Sequence, residues 1–217
     1  MSTQLPLLVH ENHARGRPRL YANEAAKKRA YRQRVKERQQ YPPLPEGPYR
    51  VLYADPPWQY DSRDPTFHGH ARDRYATLSI AELCALPVRR VVEKTAVLFL
   101  WVTAPILMEC FPVIQAWGFT YKTGLVWDKG KMIHGRYVGN QHELLLLGTR
   151  GRCRPEVQML EPSVQRIPPT EHSRKPVEFR LLIDYLYPTG RRLELFARER
   201  VEGWDAWGNT VEMASTP

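Results

Sequence analysis

The sequence predicts an α/β domain preceded by a basic N-terminal arm, and three observations carry that reading. Strand-like apolar runs alternate with helix-like segments beyond the first fifth of the chain, the order expected where helices cover a sheet. One run, Val51-Leu52-Tyr53-Ala54, stops abruptly at Asp55-Pro56-Pro57-Trp58. A carboxylate therefore falls at a strand's carboxyl end, where open α/β sheets bind ligands. Charge is also segregated. Residues 1–40 hold ten Lys/Arg against Glu11, Glu24 and Glu37, whereas residues 41–217 hold 22 against 20.

The elements follow in order. Arg15-Gly16-Arg17-Pro18-Arg19 is an extended basic stretch of the kind that lies in a narrow A·T-rich minor groove, and it looks like an AT-hook core. Asn23 caps a helix running from Glu24 to about Gln40, whose apolar face of Ala26, Ala30, Tyr31 and Val35 is too weak to hold it when free. Tyr41-Pro42-Pro43-Leu44-Pro45-Glu46-Gly47-Pro48 reads as a stiff linker, dividing an arm over 1–45 from a domain over 46–217. After the Val51–Ala54 strand, Ser79 with Glu82 forms a capping-box pattern that starts a helix to about Lys94. Ala96–Thr103 is a strand, Pro105–Trp117 a helix closed by Gly118, Thr120–Trp127 a strand, and Glu143–Leu147 another. Residues 150–171, with Pro155, Pro162, Pro168 and Pro169, read as a loop near the site. Lys175–Tyr187 is a helix and Arg191–Phe196 a last strand. The apolar run Thr95–Trp117 is interrupted by Pro105, Glu109 and Pro112, so it reads as a buried strand and helix rather than a membrane span.

Composition narrows the classes. A chain of 217 residues with 42% hydrophobic content is enough for one domain plus an appendage. Cys84, Cys110 and Cys153 are widely spaced, which supports neither a disulfide framework nor a zinc knuckle and fits a reducing cytoplasm. Met1–Leu8 lacks the charged start and apolar core of a signal peptide. His68 and His70 stand in a polar loop and the other histidines are scattered, so no metal is expected. No Gly-x-Gly-x-x-Gly follows the last strand, which leaves a NAD site unsupported.

The Asp-Pro-Pro-Trp group suits an amine. Each proline fixes φ and removes a backbone donor, leaving carbonyls as acceptors. An exocyclic amine on adenine or cytosine is a poor nucleophile because its lone pair is delocalised into the ring. Asp55 accepting one N–H and the Pro56 carbonyl the other would localise that pair as the transition state forms. Trp58, or Tyr60 two residues on, would stack on the base, a contact worth roughly 1–3 kcal/mol. The same residues also admit a plainer reading, a strand followed by a polyproline-like turn.

Beyond that group the chain carries Tyr75-Ala76-Thr77-Leu78-Ser79, Leu98-Phe99-Leu100-Trp101-Val102-Thr103, Trp117-Gly118-Phe119, Val126-Trp127, His142-Glu143, His172-Ser173-Arg174-Lys175-Pro176, Leu193-Glu194-Leu195-Phe196-Ala197-Arg198 and Trp207-Gly208-Asn209. In content and order this set resembles the N6-adenine methyltransferases related to the catalytic subunit of the eukaryotic messenger-RNA adenosine methyltransferase, a family with bacterial and phage members. The resemblance covers roughly residues 49–212. It implies a Rossmann-like, S-adenosylmethionine-dependent methyltransferase fold in which the catalytic motif precedes the cofactor half. By the same matching, Asp55, Pro56, Pro57 and Trp58 form the catalytic motif, with Tyr60 and Tyr75 at the base. Lys175 pairs with the cofactor carboxylate, and Asp55, Glu194, Phe196, Arg198 and Asn209 line the rest of the cofactor. One departure bears on this. Ala197-Arg198-Glu199-Arg200-Val201 stands where the eukaryotic relative has Gly-Arg-Pro-His-Asn, a departure at two of the family's ribose contacts.

The function expected is methylation of adenine N6 by an enzyme of bacterial or phage type, acting as a monomer or homo-oligomer with no membrane partner. The absence of a Pro-Cys pair argues against carbon-5 cytosine chemistry. DNA is preferred over RNA as the polymer, with Arg15, Arg17 and Arg19 at its minor groove, although a basic helix serves either. A noncatalytic nucleic-acid-binding relative on the same fold is the alternative, against which the intact Asp55–Trp58 motif and Lys175 stand.

Overall fold

The computed structural model describes residue 26 and residues 41–60, 77–133, 137–158, 161–170, 174–209 and 211. The chain divides into two units, Met1–Glu37 and Arg38–Pro217, and the fold described here is that of the second. Arg15, Arg17, Arg19, the helix expected over 24–40 apart from Ala26, Tyr75 and the histidines 68, 70 and 172 lie outside the described residues.

Seven strands form one sheet in the order β5-β3-β4-β2-β1-β6-β7. β1 (Tyr49–Ala54) is central, parallel to β2 (Val92–Val102) on one side and to β6 (Arg192–Leu195) on the other. β7 (Asp205–Trp207) continues parallel beyond β6. β4 (Asn140–Arg150) runs antiparallel to both β2 and β3 (Thr120–Ile133), and β5 (Val164–Arg166) adds parallel to β3. The chain goes from β1 to β2 and reaches the other flank of β1 only with β6. The carboxyl end of β1 is therefore a switch point in strand order, and Asp55 stands there.

Strand alternation splits the core into two layers, one on each face of the sheet. Leu52, Ala54, Leu98 and Leu100 join the face covered by α1 (Ile80–Ala85), α2 (Val88–Val91) and α3 (Leu107–Ala116). Val51, Tyr53, Phe99 and Trp101 join the face covered by α4 (Val177–Leu186) through Phe179 and Ile183. Both faces of β1 are buried from Val51 to Ala54, which is why that run is apolar rather than alternating.

The local signals decide where elements stop. The Ser79 hydroxyl accepts the Glu82 N–H at 3.3 Å and the Glu82 carboxylate accepts the Ser79 N–H at 2.8 Å, so the expected capping box is present. The helix it opens ends at Ala85, not near Lys94. Pro87 disfavours helical backbone at Leu86, which sits at ψ 128, and after the short α2 the chain is already in β2 at Val92. α3 is entered through a 3₁₀ turn, Ala104–Ile106, and Gly118 at φ 89 supplies the left-handed turn after its end. The Trp117 indole N–H donates to the Leu83 carbonyl at 2.8 Å and ties α3 to α1.

Two readings of the sequence are corrected. Residues 150–171 are not all loop: β5 lies within them, seated by Val126 N–H on the Ser163 carbonyl at 2.7 Å and by Arg166 on Asp128 at 2.9 Å. Asp128 also accepts from Gln141 and from the Gly130 N–H, and these bonds together with Arg166 hold its carboxyl down at about 2. The proline-rich segment after residue 40, expected as a stiff linker, packs on the domain. Tyr41 stacks on Trp207 with ring centroids 4.8 Å apart and meets Phe196 edge-on at 5.6 Å, while the Trp207 indole N–H donates to the Pro42 carbonyl at 2.8 Å.

The packing of Tyr41 is measurable. Tyr41→Ala is expected to lower the unfolding free energy by about 1–3 kcal/mol in denaturant titration of the full chain. No change would mean that the segment is a spacer after all.

Candidate active site

The turn leaving β1 is fixed by its own backbone. The Pro56 carbonyl accepts the Trp58 N–H at 2.8 Å, the Pro57 carbonyl accepts the Leu78 N–H at 2.8 Å, and the Gln59 N–H returns to the Leu78 carbonyl at 3.0 Å. Trp58 and Leu78 thus form an isolated parallel bridge that draws the start of α1 against the motif. Contrary to the sequence reading, neither proline carbonyl is left without a partner. A carbonyl has two lone pairs, however, so the Pro56 oxygen retains one acceptor position.

Trp58 is also corrected. It is only 5% exposed, part of the core, and its indole N–H donates to the Trp101 carbonyl at 3.0 Å. A ring held there anchors the motif to β2 and does not offer a face to a base. Tyr60 keeps that possibility: it is half-buried, and its hydroxyl pairs with the Thr103 hydroxyl at 2.8 Å. Burial raises the Tyr60 phenol above its usual value, and Glu143, Lys175 and Asp55 are all within electrostatic reach of it.

At the centre lies a chain of alternating charges. Lys175 Nζ is 3.0 Å from Asp55 Oδ2 and 3.0 Å from Glu143 Oε2, and the other Glu143 oxygen takes Lys129. Four elements contribute: Asp55 follows β1, Glu143 and Lys129 lie on the facing strands β4 and β3, and Lys175 precedes α4, positioned by Pro176 at the helix N-cap. The side chains of Lys175 and Glu143 are 13% and 14% exposed, so both charges are largely out of water. Burial works against the Lys175 charge, but Asp55 and Glu143 outweigh it and hold the ammonium above the ordinary lysine value. Burial likewise opposes ionised Glu143, yet Lys175 and Lys129 bring its carboxyl below the usual range.

Trp101 supports this arrangement from beneath. Lys175 Nζ lies 5.4 Å from its ring centroid, within cation–π range, and its indole N–H donates to the Tyr53 hydroxyl at 2.7 Å. Phe179 of α4 meets the same ring edge-on at 4.9 Å.

The residues expected at the cofactor cluster around the ends of β6 and β7. Glu194 is paired with Arg180 of α4 at 2.6 Å, and burial raises its carboxyl despite the guanidinium. Phe196 adopts φ 63, a conformation that costs about 1–3 kcal/mol for a bulky residue. Its ring is packed into the core against Tyr41 and Trp207, so only its backbone faces the turn at the end of β6. Beside it the chains close up: the Ala197 N–H donates to the Trp207 carbonyl at 2.9 Å, and a Cβ at Gly208 would sit 2.2 Å from the Ala197 carbonyl oxygen. Arg198 and Asn209 are exposed at the rim.

The structure gives roles to residues that the sequence reading had left without one. Glu143 and Trp101 stood inside quoted motifs, and Lys129 and Arg180 stood outside them. A glutamate at the head of the Glu143–Leu147 apolar run was the available signal for the first. Lys129 and Arg180 show nothing in sequence to separate them from surface cations.

A carboxylate at a switch point, a buried lysine beside it, and a last pair of strands closing over a tight turn define an α/β methyltransferase fold of Rossmann-like type. The motif strand comes first and the cofactor-side strands last. The MT-A70 family matches residues 49–210, and the chain belongs to it. This is an N6-adenine methyltransferase family. The chain is 35% identical over 189 residues to the type II methyltransferase M.MunI of Mycoplasma sp, covering 77% of this chain and 80% of that one. It is 29% identical over 185 residues to the human N(6)-adenine-specific methyltransferase METTL4, of which it spans 37%. Against the human N(6)-adenosine-methyltransferase catalytic subunit METTL3 the identity is 27% over 176 residues, 29% of that protein's length.

The shift at Glu143 sets a pH dependence. A carboxyl whose folded value is depressed adds stability that is present above its unfolded value, about 4.3, and is lost as pH falls through the folded one. The stability difference between wild type and Glu143→Gln should be constant from neutral pH to about 5.5 and shrink below that. A difference that grows on acidification, in pH-resolved denaturant titrations, would refute the ion-pair assignment.

Proposed function

We propose that this protein transfers the methyl group of S-adenosylmethionine to the N6 amine of adenine in DNA. The observation that carries the reading is Asp55 at the carboxyl end of β1, paired at 3.0 Å with a buried Lys175. A type II methyltransferase matched over most of both chains supports DNA as the polymer. So does the AT-hook-like stretch of Arg15, Arg17 and Arg19.

The residues fit the cofactor. Lys175 has three N–H donors, of which Asp55 and Glu143 take two, so the third is there for a carboxylate, and the close approach of Gly208 to Ala197 shapes the rim where Arg198 and Asn209 stand. Lys175 would hold the amino-acid carboxylate, with Glu194, Arg198 and Asn209 toward ribose and adenine. When bound, S-adenosylmethionine supplies a methyl group made electrophilic by its sulfonium. Asp55 accepts an N–H of the target amine, and the remaining acceptor position of the Pro56 carbonyl takes the other, so that nitrogen pyramidalises toward attack. Asp55 is then the acceptor for the proton that the methylated amine loses. Tyr60, steadied by Thr103, supplies the face for the flipped base. Glu143 keeps Lys175 in place while its charge is shared.

Asp55→Ala should abolish turnover, by at least about 10³-fold, with cofactor binding largely retained. The assay is transfer from labelled S-adenosylmethionine to A·T-containing duplex, single-stranded DNA and RNA. Methyl incorporation by wild type into none of these, with fold and cofactor binding intact, would sink the enzyme reading, and incorporation into RNA alone would replace DNA as substrate. Removal of residues 1–40 should weaken binding and flatten its dependence on salt while leaving cofactor affinity unchanged. Equal binding at every salt concentration would deny the arm a role.

A further inference from the structure

The end of the sheet opposite Asp55 carries a patch of cations that form no ion pair among the described residues, although Glu93 lies among them within electrostatic reach of Cys153. α2 supplies Arg89 and Arg90, the start of β2 supplies Lys94, and the chain leaving β4 supplies Arg152 and Arg154, all exposed. Backbone pairing fixes them as one surface. Ala96 of β2 is opposite Arg150 of β4, Arg150 donates to the Arg89 and Val92 carbonyls at 3.1 and 3.4 Å, and Gly151 passes so close that a Cβ there would be 2.7 Å from the Lys94 carbonyl oxygen.

Six other arginines among the described residues are matched. Arg50, Arg166, Arg174, Arg180, Arg191 and Arg192 each meet a carboxylate within 3.0 Å. Among the described residues, Arg89, Arg90, Lys94, Arg152 and Arg154 meet none within ion-pair distance. Residues 41–217 are nearly balanced, 22 cations against 20 anions, so this is segregation and not general basicity. Guanidinium groups dominate the patch, and their planar forks suit phosphate oxygens.

We propose that this surface docks the phosphate backbone of duplex DNA outside the segment that presents the target adenine. The proposal rests on DNA being the substrate polymer. The patch stands about 20 Å along β2 from Trp101, roughly six residues at strand rise. It would therefore hold a second stretch of a long duplex, or a second duplex, without touching the reacting base. Its contacts are with phosphates only and carry no sequence preference.

The test compares full-length wild type with a Lys94→Gln, Arg152→Gln, Arg154→Gln variant; Arg150 is spared because it braces the backbone. Both proteins keep the arm, so its contribution cancels. On a short duplex that fills only the catalytic site, turnover and KM should match wild type, which also verifies the fold. On a duplex of several hundred base pairs, the variant's affinity should fall, and the slope of log K against log salt should be shallower by about 2–3, close to one per lost phosphate contact. Equal affinity and equal slope on long DNA would overturn the proposal. So would loss of binding to polyglutamate with DNA binding unchanged, which would assign the surface to an acidic polypeptide. Absence of wild-type turnover on the short duplex would count against the proposed reaction instead.

Discussion

A single ammonium group, Lys175, sets the terms for the rest of the site. It is largely excluded from water, and a buried cation survives only if anions replace its hydration. Asp55 and Glu143 do this at equal distance, 3.0 Å each. The requirement reaches into three elements, because one carboxylate follows β1, the other lies on β4, and the lysine sits ahead of α4. Removing one member leaves an uncompensated buried charge, a loss of about 3–5 kcal/mol in comparable pairs. The position of α4 over the sheet and the position of the catalytic carboxylate are therefore one constraint. Trp101 makes the coupling firmer, since its ring lies under Lys175 while its carbonyl holds Trp58.

A second coupling joins the amino-terminal edge of the domain to the cofactor side. The left-handed conformation at Phe196 is unfavourable alone, and it persists because the ring is clamped between Tyr41 and Trp207. Trp207 is held in turn by the Pro42 carbonyl. A segment that looks like a linker thus helps maintain the sharp turn at the end of β6, next to Ala54 through its pairing with Leu195. Packing energy spent at a distance from the chemistry offsets backbone strain at the site.

What could be read from sequence follows from which signals are local. The central strand, the capping box at Ser79 and the strand-end Asp55 all announce themselves within a few residues, and each is present. The ordered motifs identified the family and the Lys175 position. Signals that depend on partners far along the chain were not legible. β5 is three residues of no apolar period that exist as a strand only because β3 and Asp128 are beside them. Trp58 looks like a stacking platform until β2 is seen to take its N–H. Glu143 gained a role only when the fold set β4 opposite the loop before α4. Helix α1 ended early because Pro87 outranked an otherwise helical pattern, a local signal that was present and underweighted.

Charge bookkeeping at the site has a wider consequence. Asp55 and Glu143 face Lys175 and Lys129, so this four-residue cluster carries no net charge. A neutral cluster suits chemistry at an amine, where an excess cation would compete for the acceptor carboxylate. It offers little attraction to a polyanion, whose association is governed by accumulated cations. Attraction then has to come from surfaces that do no chemistry. Cations exceed anions in residues 1–40, with ten Lys/Arg against three Glu, and among the described residues they cluster at the end of the sheet away from Asp55. Separating capture from catalysis in this way lets the buried pairs be tuned for proton acceptance without weakening the hold on the polymer, and lets affinity vary with salt while the local charges at Asp55 do not.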